Sequence, residues 1–152
     1  MRSTTVPTPT GLLDLVGTDL GTSGTHVVTQ EQINLFADVT GDHQWIHVDA
    51  ARAADGPFGT TIAHGFLTLA LVPGLLAEIL VVERSSMGVN YGLDRVRFVR
   101  PLPPGVPVRG SATLMEAKPI EGGVQAKAAV TVEFAETGTT CCVAEVLFRY
   151  YT

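Results

Sequence analysis

The chain reads as an α+β domain in which an antiparallel sheet curls around one buried helix. Three observations predict this. The run from Phe66 to Val82 is apolar on every face, as a helix buried all round would be. Beyond Val89 the apolar residues recur with period two, the spacing of half-buried strands. Those later segments are separated only by short turn sequences, such as Glu121-Gly122-Gly123 and Glu136-Thr137-Gly138-Thr139. Helices followed by a run of strands is the order expected of an α+β domain.

The elements follow in order. Met1 to Thr10 is Thr/Pro-rich with no apolar core, so it is expected to be a loose tail and not a signal peptide. Leu12 to Leu20 suggests a short turn or helix, and Thr25 to Thr29 has strand composition. Thr29 and Gln32 form a capping-box pattern for a helix carrying Ile33, Phe36 and Ala37 on one face. Gly41 is the residue expected just past its end. Asp49 can cap a second short helix through Ala54, stopped by Asp55-Gly56-Pro57. Pro73 should kink or split the long apolar helix, because its ring clashes with the carbonyl four residues back. Strands are expected over Val89–Val99, Val106–Ala117, Val124–Ala135 and Thr140–Tyr151. In the first of these, Tyr91, Leu93, Arg95, Arg97 and Val99 should share one face and Val96 and Phe98 the other.

Whole-chain properties narrow the function. A length of 152 residues, without internal repeat or linker, suits a single domain. With 45% hydrophobic and 16% charged residues, disorder is not expected. A net charge of −5 argues against nucleic acid and anionic membrane surfaces as partners. Five of the ten basic residues nevertheless cluster: Arg84, Arg95, Arg97, Arg100 and Arg109. The Phe66–Val82 run is too interrupted for membrane insertion. The two cysteines, Cys141 and Cys142, are adjacent and ill placed to bridge each other, so a reducing, cytoplasmic setting is the simplest expectation. No Cys/His spacing suggests a metal site.

Chemistry concentrates in Val39-Thr40-Gly41-Asp42-His43-Gln44-Trp45-Ile46-His47. A carboxylate and an imidazole held by one loop and the next turn, Asp42 and His47, can converge on a single water. The competing reading makes Asp42 a turn residue and His47 a packed imidazole. His43 is expected to face solvent or serve the loop, and His64 to act as a hydrogen-bonded anchor. Gly65 opens the apolar helix, so its amide can donate to a developing oxyanion; the bland alternative is that it permits tight packing. Arg95 and Arg97 share a strand face that turns to solvent or to an anionic ligand.

These residues resemble a known family. Phe36 to Ala53, with Thr40-Gly41-Asp42 and Ile46-His47 in register, is similar to the signature of the R-specific enoyl-CoA hydratases, the MaoC-like hotdog proteins. Ala63-His64-Gly65-Phe66-Leu67 and Asn90 to Phe98 resemble two further blocks. The resemblance implies a single hotdog domain, most often a homodimer. It implies reversible hydration of a trans-2-enoyl-CoA to the R-3-hydroxyacyl-CoA. Asp42 and His47 would be the catalytic pair and Gly65 the oxyanion donor; with an acyl-CoA substrate, Arg95 or Arg97 is expected to meet the CoA phosphates across the dimer. No metal or redox cofactor is implied, since CoA belongs to the acyl-CoA thioester substrate. Gln44-Trp45 stands where the family commonly has Asn-Pro, and Trp45 is expected to narrow or roof the acyl tunnel. Two other functions fit the same scaffold: an acyl-CoA thioesterase, and a non-catalytic acyl-CoA binder or partner subunit of a dehydratase.

Overall fold

The computed structural model describes residues 1–152. One face of a curved sheet wraps a central helix, and local sequence explains most element ends. Thr29 starts α1 (Gln30–Thr40) with the full reciprocal box: its side chain accepts from the Gln32 amide while Gln32 accepts from the Thr29 amide. Gly41 ends α1 with φ 80°, a left-handed conformation that favours glycine. A single turn, α2 (Trp45–Val48), follows, and Asp49 caps α3 (Ala50–Ala54) by accepting from the Arg52 amide.

The central helix is split as Pro73 requires. It runs as α4 (Gly65–Ala70) and α5 (Val72–Ile79), with the joint at Leu71. Val72, Leu75, Leu76 and Ile79 pack into the concave sheet face, each burial contributing about 1.5–3 kcal/mol. The opposite side is open: Phe66 is 70% exposed, and Ala70, Pro73 and Ala77 are exposed too. Burial of this helix is therefore one-sided in the single chain, and not all round as its composition suggests.

The main sheet has the order β2 (Asp19–Thr22), β6 (Pro107–Ile120), β7 (Gly123–Phe134), β8 (Thr140–Tyr151), β5 (Met87–Phe98), all antiparallel. β3 (His26–Val27) extends the β2 edge along β6. Core-facing residues alternate as expected, for example Val124, Ala126, Ala128, Val130 and Val132 on β7.

Three expectations are corrected. The N-terminal segment is docked, not loose: β1 (Thr4–Val6) pairs in parallel with β4 (Leu80–Val82), Val6 is buried, and a 3-10 helix spans Pro9–Asp14. The apolar helix accordingly stops at Ile79, and Leu80–Val82, rich in β-branched Val, becomes that strand. Third, β5 carries two register shifts, at Asn90/Gly92 and at Leu93/Arg95. Each bulge inserts one residue and inverts the alternation beyond it. Leu93 therefore faces the core side opposite Val146. Arg95 and Arg97, opposite Glu145 and Val143, keep the outer face they were expected to share.

Candidate active site

The site lies where α2, the segment before α4 and the end of β5 meet. His47 sits on α2 and is 6% exposed. Its Nδ1 lies 2.7 Å from the Ile62 carbonyl. A carbonyl only accepts, so Nδ1 carries a proton, and in the neutral ring Nε2 keeps the free lone pair. That Nε2 faces the Asp42 carboxylate at 4.0 Å. The position of α2 is itself secured: Gln30 donates to the His47 carbonyl at 2.7 Å, and Thr61 donates to Gln30 at 2.5 Å. The Ile62 amide bonds the Ile46 carbonyl, and the Ala63 amide the Leu102 carbonyl.

Asp42 stands in the loop after α1 with its side chain 52% exposed. Its own restraints are long: Oδ1 accepts from the Gln44 amide at 3.4 Å and its amide approaches the Thr40 hydroxyl at 3.5 Å. His64 supplies the shorter tie, with Nε2 2.9 Å from the Asp42 backbone carbonyl. The His47 and His64 rings stack at 3.9 Å between centroids and 25° between planes.

Gly65 begins α4, and its amide is among the first few that find no acceptor within a helix. The preceding His64 makes no side-chain cap there. A cavity of about 300 Å³ joins these groups: His47, Gly65, Ile46, Phe58, Phe98 and Arg100 all line it. A Cβ on Gly65 would come within 2.8 Å of the Phe98 ring, so only glycine lets that ring lie over the helix start.

The structure thus places His47 and Gly65 on one cavity, with Arg100 added, while Asp42 stands outside its lining and faces His47 Nε2 at 4.0 Å. Arg95 and Arg97 do not line this cavity; Arg97 instead donates to the Val96 carbonyl. Arg100 belongs to the arginine cluster visible in the sequence, but its place beside the cavity depends on how the chain leaves β5. Trp45 does not line the cavity either. It packs outward, with the Arg52 guanidinium 4.3 Å above its ring.

His43 turns away and bonds Asp38 at 2.9 Å, which raises its pKa. Cys141 and Cys142 are both free, and burial pushes each thiol up to about 11, which leaves neither a thiolate nucleophile at neutral pH. No helix is long and apolar enough to cross a membrane.

Asp42, His47 and His64 each offer a donor atom, all within 4.8 Å of one another. Two imidazoles lying nearly face to face aim their in-plane lone pairs side by side, whereas a cation needs them to converge. One nitrogen of each ring is already committed to a carbonyl. The cluster is arranged better for moving a proton than for chelation.

Residues 13–137 match the family described as MaoC like domain. The chain belongs to the MaoC-like domain family. It is 50% identical over 135 residues to 3-hydroxyacyl-thioester dehydratase Z of Mycobacterium tuberculosis, an alignment covering 88% of this chain and 89% of the relative. The R-hydratase PhaJ1 of Pseudomonas aeruginosa, in its unliganded form, superimposes with a TM-score of 0.72 at 28% identity, over 88% of this chain and 79% of that one. A structure described as a monoamine oxidase regulatory protein of Archaeoglobus covers 100% of this chain and 99% of its own, with TM-score 0.78. At 22% identity that likeness speaks for the fold alone. The hotdog architecture implied by the sequence motifs is the architecture present.

Proposed function

We propose that this MaoC-like domain reversibly hydrates a trans-2-enoyl-CoA to the R-3-hydroxyacyl-CoA, with Asp42 and His47 as its acid–base pair. The coarse class, a hydro-lyase acting on acyl thioesters, rests on the half-identical 3-hydroxyacyl-thioester dehydratase Z and on the R-hydratase PhaJ1. One observation carries the finer reading. The free Nε2 of His47 faces Asp42 at 4.0 Å, a gap that one water oxygen can bridge with hydrogen bonds to both.

In this reaction His47 Nε2 takes a proton from the bridging water while Asp42 orients it. The water oxygen bonds to Cβ, and the C=C electron pair moves through Cα onto the thioester oxygen. The Gly65 amide donates to that oxygen, an interaction of order 3 kcal/mol in the transition state. The proton now on His47 is returned to Cα as the electron pair comes back from the thioester oxygen, which completes the addition of one water and regenerates the neutral ring; the reverse sequence dehydrates. Arg100, on the cavity lining, is the nearest candidate for a CoA phosphate. Arg95 and Arg97 would meet the phosphates only of a ligand bound across a second copy.

That second copy is part of the same reading. β5 is an edge strand, exposed along nearly its whole length, and presents Tyr91 and Leu93 beside Ala70 and Pro73 on the open side of the central helix. Pairing of two β5 edges would cover both, giving a homodimer. A cytoplasmic setting agrees with the two unpaired, buried cysteines.

The test is incubation of the purified protein with crotonyl-CoA. The conjugated-thioester absorbance is followed and the product resolved on a chiral phase. The expected product is R-3-hydroxybutyryl-CoA. Release of free CoA would replace this reading with a thioesterase, and absence of turnover on short and long enoyl-CoAs would replace it with a binder or partner subunit.

A further inference from the structure

We propose that His64 is a positioning residue for this reaction: its Nε2–H holds the Asp42 carbonyl and thereby keeps the Asp42 carboxylate over His47. The proposal rests on the hydratase reading for its kinetic consequence, and on geometry for the tether itself.

His64 is 2% exposed and touches both halves of the site. Its ring lies between Phe36, at 4.9 Å, and His47, at 3.9 Å. Its backbone carbonyl accepts from the Leu67 and Thr68 amides and so begins α4, one residue before Gly65. Its Nε2 is 2.9 Å from the Asp42 carbonyl. Because that carbonyl can only accept, the proton is on Nε2, and Nδ1 is a bare lone pair.

This Nδ1 is buried with no hydrogen-bond partner. An unpartnered buried acceptor lowers stability. A leucine would fill a similar volume with no such penalty, so packing does not account for an imidazole here. What only the imidazole contributes is the N–H aimed at Asp42. The tether matters because residues 41–44 lie outside helix and strand and the other bonds to Asp42 are 3.4 Å or longer. Misplacement of a catalytic group by about 1 Å can lower turnover by about 10²-fold. The same residue links the acid loop to the start of α4, so it sets the distance between the water site and the Gly65 amide.

The experiment compares His64→Gln, His64→Leu and His64→Asn. A glutamine amide can place an N–H near the position of Nε2, whereas leucine offers no donor and the shorter asparagine amide reaches only the Nδ1 position. With crotonyl-CoA, the Leu and Asn variants are expected to lose about 10²-fold in kcat with KM within about twofold, while Gln recovers most of the loss. Amide exchange at residues 42–44 should quicken in Leu and Asn and stay near wild type in Gln, whether or not the protein turns over this substrate. Asn serves if the Leu variant does not fold. Unchanged exchange at 42–44 in Leu or Asn would overturn the tether. Wild-type kcat in those variants, or equal losses in all three, would overturn its role in the reaction. A wild-type protein without hydratase activity, but with the exchange pattern intact, would remove the hydratase reading and leave the tether standing.

Discussion

His47 donates through Nδ1 to the Ile62 carbonyl at 2.7 Å, and this bond decides which face of the imidazole is reactive. Held in that tautomer, the ring presents a bare Nε2 to Asp42. Asp42→Asn keeps the shape of the carboxylate but not its charge, and His47→Gln removes the base. Each is expected to lower kcat for enoyl-CoA hydration by about 10²–10⁴-fold. For Asp42→Asn, exposed in its loop, the melting temperature should stay within about 3 °C of wild type. Steady-state kinetics with a thermal melt checks both, and full activity in either variant would sink the assignment of the pair.

Gly65 and Phe98 make a second relationship that kinetics can read. A methyl at Gly65 would lie 2.8 Å from Phe98 Cδ2, closer than a Cβ tolerates. The Phe98 side of the contact is partly exposed, so the ring can swing away and the protein should still fold. The displaced ring and the new methyl then crowd the cavity beside the helix-end amide. Gly65→Ala is expected to lower kcat/KM by at least about tenfold. Adding Phe98→Leu should recover part of that loss. Equal kinetics for Gly65→Ala and wild type would mean the substrate does not approach this amide.

Away from the site, Glu78 on α5 clips the helix to the β2–β3 segment. The Gly24 amide donates to one carboxylate oxygen at 2.7 Å and His26 lies 2.5 Å from the other. The Gly24 amide, with His26 behind it, holds the Glu78 pKa below its ordinary 4.5. A carboxyl whose folded pKa is depressed contributes stability above its unfolded pKa and loses it as pH falls through the folded value. Glu78→Gln is therefore expected to melt below wild type at neutral pH, and the gap should close as pH falls below the ordinary 4.5 and through the lower folded value. Melting curves across that window check it. A gap that stays constant would show that the charge on Glu78 is not the source of its contribution.

Much of this molecule is local in origin, and that part was legible. The Thr29–Gln32 box, the Asp49 cap and the left-handed Gly41 each close hydrogen bonds within four residues, so a short window of sequence contains both partners. The alternation of β6, β7 and β8 is local in the same sense, as is the break imposed ahead of Pro73. Asp42 and His47 belong with them, since only four residues lie between them and one loop and one turn connect them.

Tertiary structure decided what depended on distant partners. Whether Leu80–Val82 continued the helix or became a strand depended on the arrival of Thr4–Val6, far away in the chain. The face taken by Leu93 depended on two bulges against β8, because one inserted residue inverts every side chain beyond it. Arg100, not Arg95 or Arg97, reached the cavity because β5 ends at Phe98 and the chain turns there. The sequence by itself determined the fold class, the caps that begin α1 and α3 and the residue content of the Asp42–His47 loop, all of which rest on near neighbours. The bond from His47 Nδ1 to the Ile62 carbonyl, the bond from His64 to the Asp42 carbonyl and the Phe98 ring beside Gly65 came only with folding, because these partners are neighbours in space alone.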